Sequence, residues 1–246
     1  IKTLALLFLS LLAAKAVGAL PGSASASRRY VFPVIRAGLY IFILVLVGAG
    51  ALAVGYDLAA EVYMYASVRN LGQRQMAKAY LNAQRAVEFR PATLHYWQGL
   101  SNAKFAQQQF ASVIADLPVL LALSGGKLEE ADAHRIAAAH YFLGQYDKVH
   151  PLTQAMIRQN RVYAAPYVLE GYTYLAEKKY EQATKTFLQV LQMFPSQQAA
   201  VEGLAHVHYL NGNRAAALSV LEQTAQFRFP SEARQRFAAL RELYAQ

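Results

Sequence analysis

The stretch from Ala164 to Gln197 restricts the fold more than any other part of this chain. Small residues stand where two helices must touch, Gly171 in its first half and Ala183 in its second. Around them are the aromatics Tyr167, Tyr174, Tyr180 and Phe187, and Pro195 closes the unit. Gly171 lets one helix lie close to its partner, and Ala183 does the same from the other side. Tyr174 and Phe187 fill the space that remains. Pro195 stops the second helix because it has no amide hydrogen to donate. Two short helices cannot bury their apolar faces alone, so neighbouring units are expected at the same 34-residue period.

They are present. One step forward, 198–231 has the close-contact pair Leu204-Ala205, Gly212 in the turn, Ala217 and Leu221 in the second helix, and Pro230 one place late. One step back, 130–163 has Ala137, His140, Leu143-Gly144, Tyr146 and Val149. It lacks the closing proline and carries Pro151 inside its second helix. Two inserted residues precede it. The unit 94–127 then places Trp97, Leu100 and Ser101 in its first helix and Phe110 at the turn. The unit 60–93 matches only in its second half, through Ala79, Ala83, Ala86 and Pro91. Spacing and residue types together resemble the tetratricopeptide repeat (TPR), in about five units over residues 60–231.

The resemblance implies an all-α fold, with antiparallel helix pairs stacked as a right-handed solenoid and no sheet. It also implies a concave surface that binds peptides or protein partners. Tyr141, Tyr172 and Tyr209 fall at positions 12, 9 and 12 of their units and are the candidate partner-binding residues. Packing in the core or between repeats is the competing role for all three. Residues 231–246 place Phe237, Leu240 and Leu243-Tyr244 on one helical face, behind Ser231 as an N-cap and Glu232 in the first turn. This is the pattern of a helix that caps an open-ended array.

Composition points to a second kind of environment. Hydrophobic residues make up 55% of the 246 and charged residues only 16%, an imbalance that suggests a membrane part. Residues 3–20 are apolar except for Lys15, and Pro21-Gly22 follow. Either a retained spanning helix or a secretory signal fits them, and the retained helix is preferred. A small polar connection is expected over 21–33. Residues 34–56 are the clearest spanning segment, with Tyr40 and Tyr56 towards its ends. Ala49 with Ala53, and Ala51 with Gly55, have the spacing that seats a neighbouring membrane helix. From Asp57 to about Leu71 no breaker interrupts the helical pattern, so the helix is expected to run on into the first repeat unit. The expected domains are a membrane region over 1–58, with helices at about 3–20 and 34–56, repeats over 59–231, and a capping helix over 232–246.

Arg28, Arg29 and Arg36 precede the second segment, while Asp57 and Glu61 follow it. The bias of Arg places residues 21–36 in the cytoplasm and the repeats across a bacterial inner membrane, in the periplasm. The net charge of +9 comes from scattered basic residues, with no run longer than Arg28-Arg29 or Lys178-Lys179, so nucleic acid is not an expected partner. Lipid contact is compatible with that charge.

Catalytic signals are scarce. Gly125-Gly126 has no Lys-Ser/Thr behind it and reads as a turn between repeats. His206 and His208 lie on different helical faces, and His140 and His208 take an aromatic packing place. Glu129, Glu130 and Asp132 open a helix, where carboxylates suit its dipole. The chain has no cysteine. No catalytic, cofactor-binding or metal-ligating residue is assigned. The expected role is a non-catalytic membrane-anchored scaffold or accessory subunit that binds protein partners beside an integral membrane complex. The alternative is the C-terminal part of a glycan enzyme. The layout resembles that end of O-antigen ligase or polymerase-like proteins, in the run Ala86 to Pro91 followed by His95-Tyr96-Trp97, with the catalytic residues lying upstream.

Overall fold

The computed structural model describes residues 27–245, so the segment expected over residues 3–20 lies outside the described residues. Every regular element among the described residues is helical. In chain order these are α1 (Ser27–Gly72), α2 (Met76–Phe89), α3 (Leu94–Ala106), α4 (Phe110–Ala115), α5 (Leu117–Leu123) and α6 (Glu130–Phe142). They continue with α7 (Tyr146–Gln159), α8 (Ala164–Ala176), α9 (Tyr180–Met193), α10 (Gln198–Leu210), α11 (Arg214–Glu222) and α12 (Ser231–Ala245), with a 3-10 turn at Gln223–Gln226. The described chain divides between Leu58 and Ala59 into two compact units.

The first unit carries the N-terminal part of α1. The described part of the helix begins at Ser27, so residues 27–33, expected from the sequence as part of a small polar connection, are helical. Pro33 lies within the helix; it removes one amide donor without ending the helix. From Leu39 to Leu58 the large apolar side chains point outward all round, Leu44 with 70% of its surface exposed and Leu52 with 66%. The stretch Gly38–Gly72 is long and apolar enough to cross a membrane.

The second unit is a stack of antiparallel helix pairs. Successive first helices touch directly, α3 against α6, α6 against α8, α8 against α10 and α10 against α12. Each second helix packs on its own first helix and on the next one, as α9 does on α8 and α10. The first helices therefore form an inner layer and the second helices an outer one. The residues that carried the repeat pattern are closed off from solvent: Ala137, Ala205, Ala183, Ala217, Val149 and Phe187 are 0% exposed.

A backbone signature marks the same period. Arg74, Gln108, Gly144, Lys178 and Gly212 all have positive φ, between 57° and 79°. Their steps are 34, 36, 34 and 34 residues, and the longer step holds the two inserted residues. In each case the residue closes the turn between the two helices of a unit. The amide after it returns to a carbonyl of the first helix, as Gln145 N does to His140 O and Asn213 N to His208 O. Glycine takes this left-handed conformation freely, whereas Arg74, Gln108 and Lys178 hold it at a cost of about 1 kcal/mol each.

The first unit of the array is more complete than its sequence suggests. Ala60, Met64 and Ser67 of α1 are buried against α2 and α3. Ser67 donates to the Ala79 carbonyl at 2.8 Å. Ser67 precedes Ser101 by 34 residues and takes the same small-residue place. The second unit departs from the regular pattern, because its outer helix is broken into α4 and α5. Pro118 sits in the first turn of α5, where its missing donor is tolerated. The break lies at Asp116, whose side chain is buried and bonded to Lys104 at 2.6 Å. On α12 the buried face is Ala233, Phe237 and Tyr244, with Leu240 half-buried; Leu243, expected on that face, is 51% exposed. It lies one residue, and so about 100° of helical turn, from Tyr244.

The tightest joint is at Phe187. A Cβ placed on Gly171 would lie 2.7 Å from its ring, and one placed on Gly203 would lie 2.4 Å away. The ring is thus held between the backbones of α8 and α10. Gly99 faces the far end of the flexible Met64 side chain instead. Gly171→Leu is expected to lower stability by about 1–3 kcal/mol through overpacking. Gly99→Ala is expected to be neutral or stabilising, since Met64 can turn away and helix propensity improves. Thermal melts followed by helical circular dichroism check both, and equal effects would contradict the assignment.

Candidate functional site

The inner layer is the surface on which the repeats present side chains from several units at once. Tyr141 lies at the end of α6, Tyr172 in the middle of α8 and Tyr209 near the end of α10. All three are half-buried. They share one neighbourhood, since both Tyr141 and Tyr244 are near enough to act on the Tyr172 hydroxyl electrostatically. Burial comes first among the causes that hold this hydroxyl above its ordinary range, followed by the Glu202 carboxylate. Tyr172 remains a neutral donor at physiological pH.

Each tyrosine is also tied into the array. Tyr172 donates to the Ala199 carbonyl of the next unit at 2.9 Å, and its ring meets Phe187 edge-on at 5.2 Å. Tyr209 stacks on Tyr244 at 4.3 Å, with the Arg214 guanidinium 6.0 Å from its ring. Tyr141 packs edge-on against Phe142 at 5.4 Å and near Tyr146 at 5.8 Å. The repeat pattern puts these residues at inner positions but gives no sign of such contacts. Tyr244 of the capping helix had no site role in the sequence, yet its hydroxyl lies 3.0 Å from His206 Nδ1 and its ring completes the row. Ala49, Ala51, Ala53 and Gly55 lie on α1, in the other unit.

Polar bridges link successive inner helices. Asp132 is 2% exposed and accepts from Gln98 Nε2 at 2.7 Å and Arg135 Nη1 at 2.6 Å. It lies in the first turn of α6, as its sequence position suggested, and is in addition a buried link between α3 and α6. Within one unit, Glu130 of α6 accepts from Asn160 at the end of the outer helix α7 at 3.0 Å. Tyr96 donates to Glu61 at 2.9 Å, and Glu202 lies 3.9 Å from Arg236. His140 is buried beside Gln145, in a packing place.

A separate charged joint connects α7 to α8. His150 Nδ1 lies 2.9 Å from Glu170 Oε1, and its Nε2 lies 2.9 Å from Glu177 Oε2. The ring also faces Tyr174 at 4.8 Å. Thr153 donates to the other oxygen of Glu170, which is buried. Lys179 reaches Glu177 at 3.0 Å. Burial pulls the His150 imidazole down. The hydrogen bonds and charges of the two glutamates outweigh it and hold the group above its ordinary value. Burial likewise raises Glu177, and His150 and Lys179 overcome that to bring it below its ordinary value.

Residues 174–246 match the family model of the tetratricopeptide repeat. Several solved structures share the fold. Residues 41 to the end of MamA from Desulfovibrio magneticus RS-1 are 14% identical, covering 68% of this chain and 94% of that one at a TM-score of 0.57. The thermophilic TPR protein TTC0263 of Thermus thermophilus is 16% identical, covering 74% and 98% at a TM-score of 0.61. PilF of Pseudomonas aeruginosa is 17% identical, covering 76% and 86% at a TM-score of 0.57. No curated protein matches this sequence. Residues 174–246 are thus similar to tetratricopeptide repeats, and the chain shares the all-helical solenoid fold of these TPR structures.

The His150 joint yields a signed pH dependence. Because the folded group titrates above its unfolded value, its stabilisation is fully present below the unfolded value of 6.5 and is lost as pH rises through the folded one. The melting-temperature difference between the natural protein and His150→Gln should therefore shrink as pH is raised from about 6 to 8. His134 and His206, which burial holds low, are common to both proteins and drop out of the difference. A constant difference across that range would contradict the joint's charge.

Proposed function

We propose that this protein is a membrane-anchored TPR scaffold whose repeats bind a protein partner. The observation that carries the reading is the stretch from Leu39 to Leu58 of α1, where large apolar side chains such as Leu44, Val47, Leu52 and Val54 stand exposed and the one charged residue, Asp57, lies at the end. Apolar surface of this kind is unfavourable in water by about 25 cal/mol per Å², and a helix apolar all round belongs in a bilayer. Ala49 with Ala53, and Ala51 with Gly55, then suit close approach of another membrane helix.

The bias of Arg28, Arg29 and Arg36 before this stretch puts its N-terminal side in the cytoplasm and the repeats in the periplasm of a Gram-negative bacterium. The partner belongs to a membrane complex and meets the inner face around Tyr141, Tyr172 and Tyr209. Aromatic side chains that are rigid before binding serve such a surface well, because little rotamer freedom is lost when a partner docks.

The second reading is the C-terminal part of an O-antigen ligase or polymerase-like enzyme. Trp97 Nε1 donates to the Pro91 carbonyl at 2.8 Å, which ties together the two runs that carry that layout. The intact mass of the natural protein separates the readings: about 27 kDa supports the scaffold, and a much larger chain supports the enzyme.

Topology is tested with single cysteines, Ser25→Cys and Ser231→Cys, labelled in intact cells after outer-membrane permeabilisation with a maleimide that does not cross the inner membrane. Only the Ser231 position is expected to react. Reaction at Ser25 alone would invert the topology and move the partner to the cytoplasm. Equal reaction at both would put both positions outside the cytoplasm, which requires residues 1–20 to act as a signal peptide and overturns α1 as a span.

A further inference from the structure

We infer that the C-terminal end of the array holds an oxyanion site for a phosphate monoester carrying a planar group. A cavity of about 540 Å³ opens between the 3-10 turn after α11 and the capping helix α12. Arg228, Arg234 and Arg241 line it, and among the described residues no carboxylate does. None of the three takes part in a salt bridge among the described residues, whereas Arg236 on the same helix is directed to Glu202. The Nε of Arg241 is shut off from solvent with no acceptor. A buried donor without a partner costs about 1–3 kcal/mol, so an anion that supplies the acceptor after a small side-chain adjustment is favoured.

Three guanidinium groups around one cavity match phosphate better than carboxylate. A carboxylate offers two oxygens and one charge; a phosphate monoester offers three terminal oxygens and close to two charges. Guanidinium forks fit those oxygens in pairs. The remaining walls are Thr224 and three phenylalanines. Phe229 meets Phe237 edge-on at 4.9 Å, and Phe227 meets Phe229 edge-on at 6.3 Å. Phe237 is 1% exposed, so that wall is fixed by packing before any ligand arrives. Such walls take a planar group attached to the phosphate. The chain's net charge of +9 raises the local concentration of any anion. The site stands on Thr224 and on residues 227–241 and does not depend on the membrane reading.

The test is calorimetric titration of the full chain in non-ionic detergent with inorganic phosphate, phenyl phosphate and acetate, at an ionic strength fixed with chloride. Saturable binding is expected for the two phosphates, tighter for phenyl phosphate, and none for acetate. Arg228→Gln and Arg234→Gln change exposed side chains and leave the fold intact by circular dichroism. Each should weaken phosphate binding about tenfold. Arg158→Gln, outside the cavity, should not. Dihexanoyl phosphatidic acid below its micelle concentration identifies the source: tighter binding than phenyl phosphate assigns the anion to a lipid headgroup, and weaker binding to a soluble monoester. Unchanged affinity in folded Arg228→Gln and Arg234→Gln, or equal heats from acetate, would overturn the site.

Discussion

The array depends on one ring held between two backbones. Phe187 reaches from α9 to the places where Gly171 of α8 and Gly203 of α10 carry no side chain. A glycine inside a helix costs about 0.5–1 kcal/mol, and two are present here. Full burial of a large apolar side chain returns about 1.5–3 kcal/mol, and the close approach lets three helices share it. The contact also fixes spacing between units, because α8 and α10 belong to successive repeats. The inner layer follows from this: first helices brought this close touch one another, and the second helices lie outside them. The unit that begins in α1 solves the same problem with Met64 against Gly99, a softer wedge whose end can adapt.

That inner layer explains why the sequence could indicate a candidate surface without revealing its wiring. The 34-residue spacing of Ala137, Gly171 and Ala205 encodes the stacking, and these residues are where the pattern puts them. Gly203 was missed because it lies two places before the repeating small residue and serves the previous unit. Ser67 was missed because its surroundings read as the end of an apolar helix. The left-handed turn residues were legible only at Gly144 and Gly212. At Arg74, Gln108 and Lys178 the backbone is imposed by the helices on either side, and no local propensity announces it. The break at Asp116 joins a buried carboxylate to a proline two residues on, and a periodicity search sees neither as a helix end.

The candidate surfaces differ in the same way. Tyr141, Tyr172 and Tyr209 follow from repeat position, since residues at inner positions of first helices share a face. The hydrogen bond of Tyr172 to Ala199 and the stacking of Tyr209 on Tyr244 come from packing between units and leave no trace in residue spacing, while Tyr141 meets Phe142 within its own helix. Arg228, Arg234 and Arg241 read in the sequence as part of a scattered basic surface. The segment after the 3-10 turn and two positions along α12 bring them around one cavity, and no period connects them.

The joints between units are therefore chemically unequal, and that matters for a linear array in which each unit touches only its neighbours. The joint through Phe187 is apolar and indifferent to pH. The joint before it carries His150 between Glu170 and Glu177, in a unit without a closing proline. Glu170 is buried, and a buried carboxylate is tolerated only while its partners hold it. Neutral imidazole has one N–H and can donate to only one of the two glutamates, leaving the other to Thr153 or Lys179. Loss of the proton thus loosens the contact between α7 and α8 while the contact between α9 and α10 is untouched. Tyr141 stands before the charged joint, and Tyr172 and Tyr209 after it. Their relative placement on the inner face therefore depends in part on a joint whose hydrogen bonds change with the protonation of His150.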